Sequence, residues 1–279
     1  MITVAPTGAE IEKSTVPALP VTLDELVTTA EQCAAAGAAV IHVHVRDGGA
    51  RPTLDLGRLR ETVQALREST DLVVQVSTGG AVTDPEDRRL AVLECGPDAA
   101  SLTCGTLNFG DDVFVNRWPF IVELHRRMRE REVVPEFEIF DLGHAAALHR
   151  LLDTEGPPWG GRVHADVVCG VPGGLPGTAR AVLAAVAALP DGATWSATGL
   201  GRASLPVLFT ALGAGGHVRV GMEDTVTFAV GVPVQDNAQL VVRAADAARL
   251  AQRPAMDIES ARAMLGVKDR RRDRGLGDG

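Results

Sequence analysis

The sequence has few cysteines, no long apolar run and no excess of basic residues, and each shortage excludes a class of protein. Four cysteines in 279 residues, none of them in a Cys-x-x-Cys pair, do not make a disulfide framework. No stretch approaches the ~20 apolar residues of a membrane span. The net charge of −9 argues against a nucleic-acid-binding domain, which usually carries a basic face.

The remaining composition is that of a globular enzyme-sized protein. Hydrophobic residues make up 46% of the chain and charged residues 23%, which suffices for a sizeable core and argues against global disorder. Residues 1–7 have no basic segment followed by an apolar one, so we predict no signal peptide. With the scattered cysteines, this favours a reduced, cytoplasmic protein.

Strand-like and helix-like segments alternate along the whole chain. Thr22 with Glu25 three residues later forms a capping box, and Asp84-Pro85-Glu86 is a typical helix start. The predicted strands are 2–7, 40–47, 72–77, 99–104, 133–140, 163–169, 194–198 and 218–222. The predicted helices are 22–37, 55–68, 84–94, 116–130, 145–152, 178–189, 205–213 and 237–251.

This alternation predicts an α/β fold with a parallel sheet. Eight strand–helix units in ~250 residues favour a closed (β/α)8 TIM barrel over an open Rossmann sheet. No Gly-x-Gly-x-x-Gly follows the first strand, which disfavours dinucleotide binding. We predict one catalytic barrel domain over residues 1–267, with a ninth helix at 257–265 outside the barrel. The basic, glycine-rich residues 268–279 are predicted to form a solvated tail.

Two histidines lie on one face of the second predicted strand. Because strand side chains alternate, His42 and His44 point to the same side and could bind one transition metal. In a closed barrel the last strand pairs with the first, so Glu223 at the end of strand eight is expected to approach both. Two histidines and one carboxylate form an open metal site. The alternative is that Glu223 and Asp224 cap the following helix.

Polar side chains concentrate where the predicted strands end, which is where barrel active sites lie. The residues at these ends are Glu10, His42, His44, Arg46, Asp47, Ser77, Ser101, Thr103, Glu136, Glu138, Asp166, Arg202, Arg219, Glu223 and Asp224. For Arg219 the alternative is an ion pair lower in the barrel. The turns Gly173-Gly174 and Gly201-Arg202 follow strands six and seven, where backbone amides can bind a phosphate or pyrophosphate. The alternative is that these glycines serve only the tight turns of the barrel loops.

Ordered blocks over essentially the whole chain resemble the β-keto acid cleavage enzyme family. The matching blocks are 7–10 (TGAE), 19–22 (LPVT), 37–38 (GA), 40–46 (VIHVHVR), 75–82 (QVSTGGAV), 105–112 (GTLNFGDD), 134–136 (VPE), 170–174 (GVPGG) and 216–224 (GHVRVGMED). The resemblance implies a zinc-bearing (β/α)8 barrel, usually a homotetramer, with acetyl-CoA as co-substrate. Such enzymes convert a β-keto acid and acetyl-CoA into acetoacetate and a new acyl-CoA.

The resemblance also implies roles for individual residues. The zinc ligands would be His42, His44 and Glu223. The catalytic base would be Asp224 with Arg219, and two further catalytic positions would be Ser77 and Glu138. Substrate contacts are expected at Glu10, which matches the position facing the substrate's distal end, and at Ser101, Thr103 and Asn108. Acetyl-CoA contacts are expected at Gly173, Gly174, Gly201 and Arg202.

This chain departs from the family's type enzyme at two places. On strand four, Ser101 replaces a threonine and keeps the hydroxyl. After Gly201-Arg202, Ala203-Ser204 replaces a tryptophan–histidine pair, which removes a bulky wall and predicts different contacts with the substrate side chain or with CoA.

The main alternative is a metal-dependent hydrolase of the amidohydrolase type, which also uses His-x-His at a strand end. Such enzymes normally place the pair on strand one and add histidines from strands five and six. Here the pair is on strand two, and His144 and His164 are candidates only by proximity. A metal-stabilised binding protein without catalysis would leave the strand-end acids and arginine without a purpose.

Overall fold

Eight parallel strands form a closed barrel in the computed structural model, which describes residues 1–268. The barrel strands are β1 Ile2–Val4, β2 Val40–Val43, β3 Val73–Val76, β4 Ala99–Thr103, β5 Val134–Ile139, β6 His164–Cys169, β7 Thr194–Gly199 and β8 His217–Val220. Thr3 of β1 lies opposite Val40 on one side and Arg219 on the other, so β1 joins β2 to β8. The predicted (β/α)8 barrel is confirmed.

A helix follows each barrel strand, as predicted. The helices are α1 Leu23–Ala35, α2 Leu56–Ser69, α3 Glu86–Ala91, α4 Trp118–Glu130, α5 Leu142–Glu155, α6 Ala179–Ala187, α7 Ser204–Gly213, α8 Asn237–Leu250 and α9 Ile258–Leu265. The capping box of Thr22 and Glu25 is present at the start of α1. Asp236 caps α8 through Gln239 N, so Glu223 and Asp224 are not the caps of this helix.

The second predicted strand, 40–47, is shorter in the structure. It leaves the barrel after Val43, and Val45–Arg46 pairs antiparallel with Pro52–Thr53. Two similar hairpins were not predicted because strands of two or three residues carry too little periodicity to be recognised. They are Leu107–Phe109 with Asp112–Phe114, and Thr227–Ala229 with Val232–Pro233. We call the hairpin of 107–114 the aromatic hairpin.

Strand alternation separates an apolar outer layer from a polar barrel interior. Outward-facing Ile2, Val4, Ile41 and Val43 pack with the helices in the main core. The bottom of the interior is apolar, with Val40, Val73, Ala99 and Val134 closed off by Ala261 and Leu265 of α9. Above this floor the inward positions are polar and buried: Thr3, His42, Gln75, Ser101, Glu136, Asp166, Ser196 and Arg219.

The predicted ninth helix, α9, covers the N-terminal end of the barrel. Arg262 is buried and donates hydrogen bonds to the carbonyls of Asp71 and Leu72 at 3.1 and 3.0 Å. Its guanidinium also lies 3.3 Å from Oδ2 of Asp98, whose other oxygen pairs with Arg67 at 2.8 Å. The predicted tail at 268–279 falls outside the described residues, except for Lys268, which pairs with Glu132.

All four cysteines are buried free thiols. Desolvation raises the pKa of Cys33, Cys95 and Cys169 to about 12, which keeps these thiols protonated and unreactive at neutral pH. Among the helices of residues 1–268, none has the length and apolar character needed to cross a membrane.

Replacing Arg262 with methionine is expected to lower the free energy of unfolding by about 2–3 kcal/mol, because it leaves Asp98 with one cation instead of two in a buried site. Chemical denaturation would measure the change. Arg249→Met, on the exposed face of α8, serves as the control and should have little effect. Equal stability of the two variants would contradict the anchoring role of Arg262.

Candidate active site

A cavity opens at the C-terminal end of the barrel, where the predicted strand-end residues meet. Its polar lining is Glu10, His42, His44, Ser77, Glu138, Arg219, Glu223 and Asp224. Its apolar lining includes Val82, Phe109, Phe114, Phe140, Val168, Val171 and Leu200. Parallel strands put all of their carboxyl ends on one face of the barrel, which explains why residues so distant in sequence share one cavity.

His42, His44 and Glu223 form a group of three candidate metal ligands. The Oε1 atom of Glu223 lies 3.8 Å from Nε2 of His42 and 3.5 Å from Nε2 of His44. One ligand atom from each residue lies within 4.8 Å of the others. Barrel closure brings Glu223 here, since its amide donates to the carbonyl of Ala5 just after β1 at 3.1 Å. A Cβ on Gly8 would lie only 2.6 Å from Glu223 Cγ, so this close approach requires glycine.

The chemistry of this group fits a bound cation. Burial, with the nearby Arg219 cation, lowers the pKa of His42 to about 3, so the imidazole is neutral and can offer a lone pair. Desolvation would raise the pKa of Glu223, but Arg219 and the two imidazoles hold that pKa well below its usual range. The Oε2 atom of Glu223 is buried without a hydrogen-bond partner, which is costly unless a ligand occupies it.

Arg219 links this group to Asp224. Its Nε and Nη2 atoms donate to the two carboxylate oxygens of Asp224 at 3.1 and 3.0 Å, and Nη2 also contacts Oε1 of Glu223 at 2.6 Å. The predicted alternative, an ion pair lower in the barrel, is therefore not its main contact. Desolvation raises the pKa of Asp224 to about 7, with Arg219 acting in the opposite direction. Such a carboxylate can accept a proton near neutral pH.

Ser101 and Thr103 lie behind the cavity lining and support residues that belong to it. Thr103 donates to Oε2 of Glu138 at 2.5 Å. Ser101 accepts a hydrogen bond from the amide of Thr78 at 3.2 Å, which fixes the turn that carries Ser77. Burial raises the pKa of Glu138, although Arg219 and Thr103 oppose the shift.

Glu10 lies at the exposed edge of the cavity on the loop after β1. Buried Arg46 holds this loop by donating from Nη2 to the carbonyls of Gly8 at 2.6 Å and Ile11 at 2.9 Å. Arg46 was predicted among the strand-end residues, and the structure shows that it supports the loop that carries Glu10.

The remaining predicted residues surround the mouth without lining the cavity. Asn108 is exposed on the aromatic hairpin, and its carbonyl would lie 2.2 Å from a Cβ on Gly173, so the two loops pack closely. The Gly174 amide donates to Val171 O, and the Gly201 amide donates to Asp224 O at 2.8 Å. Arg202 is exposed beside them.

The position that departs from the family's type enzyme lies behind the cavity wall. Ala203 is buried, and a Cβ on Gly177 would lie 2.2 Å from its methyl group. Neighbouring Leu200 supplies the cavity-facing side chain. The replacement of a bulky pair by Ala203-Ser204 therefore affects the loop behind the wall.

Two further features were missed by the sequence analysis. The first is the apolar wall, in which Phe109 packs edge-on against Phe114 and Phe140 with ring centroids 6.4 and 6.3 Å apart. These aromatic residues stand out in a chain with only 4% aromatic content. The second is Gln75, a polar residue within apolar β3, whose Oε1 lies 2.5 Å from Nδ1 of His42.

Comparisons with known proteins identify the family of this chain. The family model for the beta-keto acid cleavage enzyme matches residues 1–267. The 3-keto-5-aminohexanoate cleavage enzyme of Fusobacterium nucleatum is 37% identical over 273 residues, covering 96% of this chain and 98% of that protein. The 3-oxoadipate:acetyl-CoA acetyltransferase of Cupriavidus necator is 32% identical over 275 residues, covering 96% of this chain and 94% of that protein.

A solved structure supports the fold alone. The apo structure of ObcA superposes with a TM-score of 0.74 at 18% identity, over 90% of this chain and 66% of that chain. The family match over the barrel and the two relatives confirm the predicted family. This chain is an enzyme and belongs to the beta-keto acid cleavage enzyme family.

Proposed function

We propose that the protein condenses a β-keto acid with acetyl-CoA and releases acetoacetate and a new acyl-CoA. The observation that carries this proposal is the contact of Arg219 with both Asp224 and Glu223, which places a base beside a metal-ligand set in one cavity. The relatives support it, since one is named as a β-keto acid cleavage enzyme and another as an acetyl-CoA acetyltransferase.

We propose Zn²⁺ as the ion held by His42, His44 and Glu223. Two imidazoles, that of His42 being neutral, and an ionised carboxylate with an unpartnered buried oxygen are suitable ligands for it. A bound zinc ion would act as a Lewis acid that polarises the substrate oxygens. Three protein ligands would leave such an ion able to accept an oxygen of the substrate.

Asp224 is the proposed base. Its two hydrogen bonds to Arg219 orient the carboxylate, which removes a proton from the carbon between the ketone and the carboxylate of the substrate. The resulting carbanion attacks the acetyl thioester carbon and CoA leaves as the thiolate. The thiolate then adds to the carbon of the original ketone. The bond between this carbon and the carbon that lost its proton breaks, which releases the new acyl-CoA. Protonated Asp224 then returns its proton to the carbanion of acetoacetate.

Other cavity residues are proposed to bind the reactants. Ser77 is positioned to donate a hydrogen bond to a reacting oxygen, and Glu138 approaches Arg219 at 4.0 Å on the same wall. We propose that Glu10 faces the distal end of the substrate and favours a cationic group there. Asn108 is proposed to contact the substrate, and Gly173, Gly174, Gly201 and Arg202 to contact acetyl-CoA at the mouth. Ser101 and Thr103, which were predicted as substrate contacts, lie behind the lining and are proposed to act through Thr78 and Glu138.

The structure disfavours a hydrolase of the amidohydrolase type. Within residues 1–268, His42, His44 and Glu223 are the group of metal-ligating side chains that lie close enough to share an ion. His144 accepts a hydrogen bond from the amide of Phe140, and His164 pairs with Thr194 near the barrel floor. An enzyme of that class would require further histidines in the metal group, and neither His144 nor His164 belongs to it.

A homotetramer and a cytoplasmic location stay proposals that rest on the family resemblance and on the cysteine content. Surfaces with exposed apolar side chains are available for self-association, such as Phe209 on α7 and Leu250 at the end of α8. Sedimentation analysis of the purified protein would determine the number of subunits.

Replacing Asp224 with asparagine is expected to lower kcat by roughly 10²–10⁴-fold, because the substrate then lacks its general base. Mass spectrometry of new acyl-CoA species, formed from acetyl-CoA and a panel of β-keto acids, would measure this. Glu61→Gln, on the exposed face of α2, is the matched control. Failure of the unmodified protein to form acyl-CoA from any β-keto acid would contradict the proposed reaction.

The metal proposal is tested by metal content. The unmodified protein should hold about one zinc ion per chain, and His44→Ala or Glu223→Gln should lose most of it, because two ligands rarely retain zinc. Plasma mass spectrometry of dialysed samples gives the content. His149→Ala, an exposed histidine on α5, should retain the wild-type amount, and equal loss in that control would refute the assignment.

Replacing Glu10 with glutamine should lower kcat/KM for amino-bearing β-keto acids by about tenfold, because the amide keeps an accepting oxygen but loses the charge that strengthens its bond to a cation. The same variant should turn over neutral β-keto acids at an unchanged rate. Glu12→Gln, on the same loop but outside the cavity lining, is the control. A similar loss for both substrate classes would contradict recognition of a cationic tail by Glu10.

A further inference from the structure

Gln75 contacts one of the proposed metal ligands from beneath. We propose that Gln75 is a positioning residue that fixes the tautomer and ring orientation of His42, and that Glu136 fixes Gln75 in turn. The inference rests on the metal site in the proposed function and adds the buried groups that prepare it. Neither residue lines the cavity, so neither is proposed to touch the substrate.

The register of the barrel brings Gln75 to His42. His42 on β2 lies directly opposite Gln75 on β3, and both side chains point into the barrel. His42 is 1% exposed and Gln75 is 2% exposed, so water has little access to either. A buried imidazole nitrogen without a partner is costly, and Gln75 is the hydrogen-bond partner that the structure provides for Nδ1.

The chemistry of the amide sets the tautomer of the imidazole. The Gln75 atom facing Nδ1 is the carbonyl oxygen Oε1, at 2.5 Å, and a carbonyl oxygen only accepts hydrogen bonds. Nδ1 of His42 must therefore carry the proton. Nε2 is left with its lone pair on the side of Glu223, which lies 3.8 Å away, and this is the tautomer that a metal ligand needs.

Glu136 prevents the Gln75 amide from turning over. The Gln75 side chain also hydrogen-bonds to the buried carboxyl of Glu136, and this bond lowers a pKa that burial and Asp166 raise to about 8. A carboxyl group offers an accepting oxygen whether or not it is protonated, so it pairs with the amide NH₂ in both forms. Reversing the amide would turn its NH₂ away from Glu136 and toward Nδ1 of His42, which could then only accept a hydrogen bond and would leave the imidazole proton on Nε2.

Removing the Gln75 oxygen should therefore weaken metal binding without removing a ligand. Residues that orient a ligating histidine typically contribute ~10–100-fold to metal affinity. Gln75→Met keeps the length and volume of the side chain but has no oxygen to accept from Nδ1. His42 is then free to carry its proton on Nε2, which blocks the position that the metal requires.

The test is a Zn²⁺ affinity measurement by competition with a chromogenic chelator. Gln75→Met should bind Zn²⁺ about 10–100-fold more weakly than the unmodified protein. The visible absorption bands of the Co²⁺-loaded protein should also change, because the ligand geometry at His42 changes. Gln75→Glu, which restores an accepting oxygen at Nδ1, should retain most of the affinity and the Co²⁺ spectrum.

Thr194→Val is the matched control, since Thr194 hydrogen-bonds to His164 inside the barrel and does not contact His42. This variant should bind Zn²⁺ like the unmodified protein. Wild-type affinity in Gln75→Met would overturn the inference, and so would an equal loss in Thr194→Val. If Gln75→Met does not fold, a Gln75→Glu variant with strongly weakened Zn²⁺ binding overturns it instead. A wild-type protein that binds no metal would instead refute the proposed metal site itself.

Discussion

The closure of the barrel through β1 is the constraint on which the site depends. Thr3 pairs with Val40 and with Arg219, so the shortest barrel strand holds β2 and β8 on either side of itself. The contact is close, since a Cβ on Gly221 would lie 1.9 Å from the carbonyl of Ala5. This approach brings Glu223 to His42 of β2 and to His44 just after it, which precede Glu223 by about 180 residues of chain.

Arg219 organises the charges within that frame. Desolvation acts against a buried guanidinium, but Asp224 and Glu223 raise the pKa of Arg219 well above its usual range. The Arg219 cation therefore contacts two carboxylates whose pKa values are shifted in opposite directions. Glu223 stays ionised and available to a metal, whereas burial leaves Asp224 with a raised pKa suited to exchanging a proton. Acid–base chemistry at a metal centre requires two carboxylates with different pKa values.

The cavity has a charged wall and an apolar wall. Phe109, Phe114 and Phe140 follow β4 and β5, whereas the histidines, Arg219, Glu223 and Asp224 belong to β2 and β8 or directly follow them, and all of them line one cavity. An apolar wall lowers the local dielectric constant, which strengthens the electrostatic interactions of the opposite wall. Buried Arg89 supports this side, because its guanidinium stacks over Phe114 and Phe120 and donates to the carbonyls of Thr78 and Val115.

Much of the architecture could be predicted because its signals are local. Alternating patterns and helix caps set the number of strand–helix units, and parallel strands placed His42, His44 and Ser77 at one end of the barrel. The aromatic hairpin was missed because its strands span only three residues each, too few for a periodic pattern. Gln75 was missed as a functional residue, and the role of Arg46 was not predicted, because their partners lie on other elements.

The sequence by itself determined the barrel, the family and the histidine pair, since these depend on repeating local patterns and on ordered motifs. The approach of Glu223 to this pair was predicted from barrel closure, and the pairing of Asp224 with Arg219 from the family resemblance. Only the tertiary structure decided that Arg219 also contacts Glu223 and that Gln75 lies against Nδ1 of His42. Distances between side chains on different strands depend on barrel register and closure, and a linear pattern does not contain them.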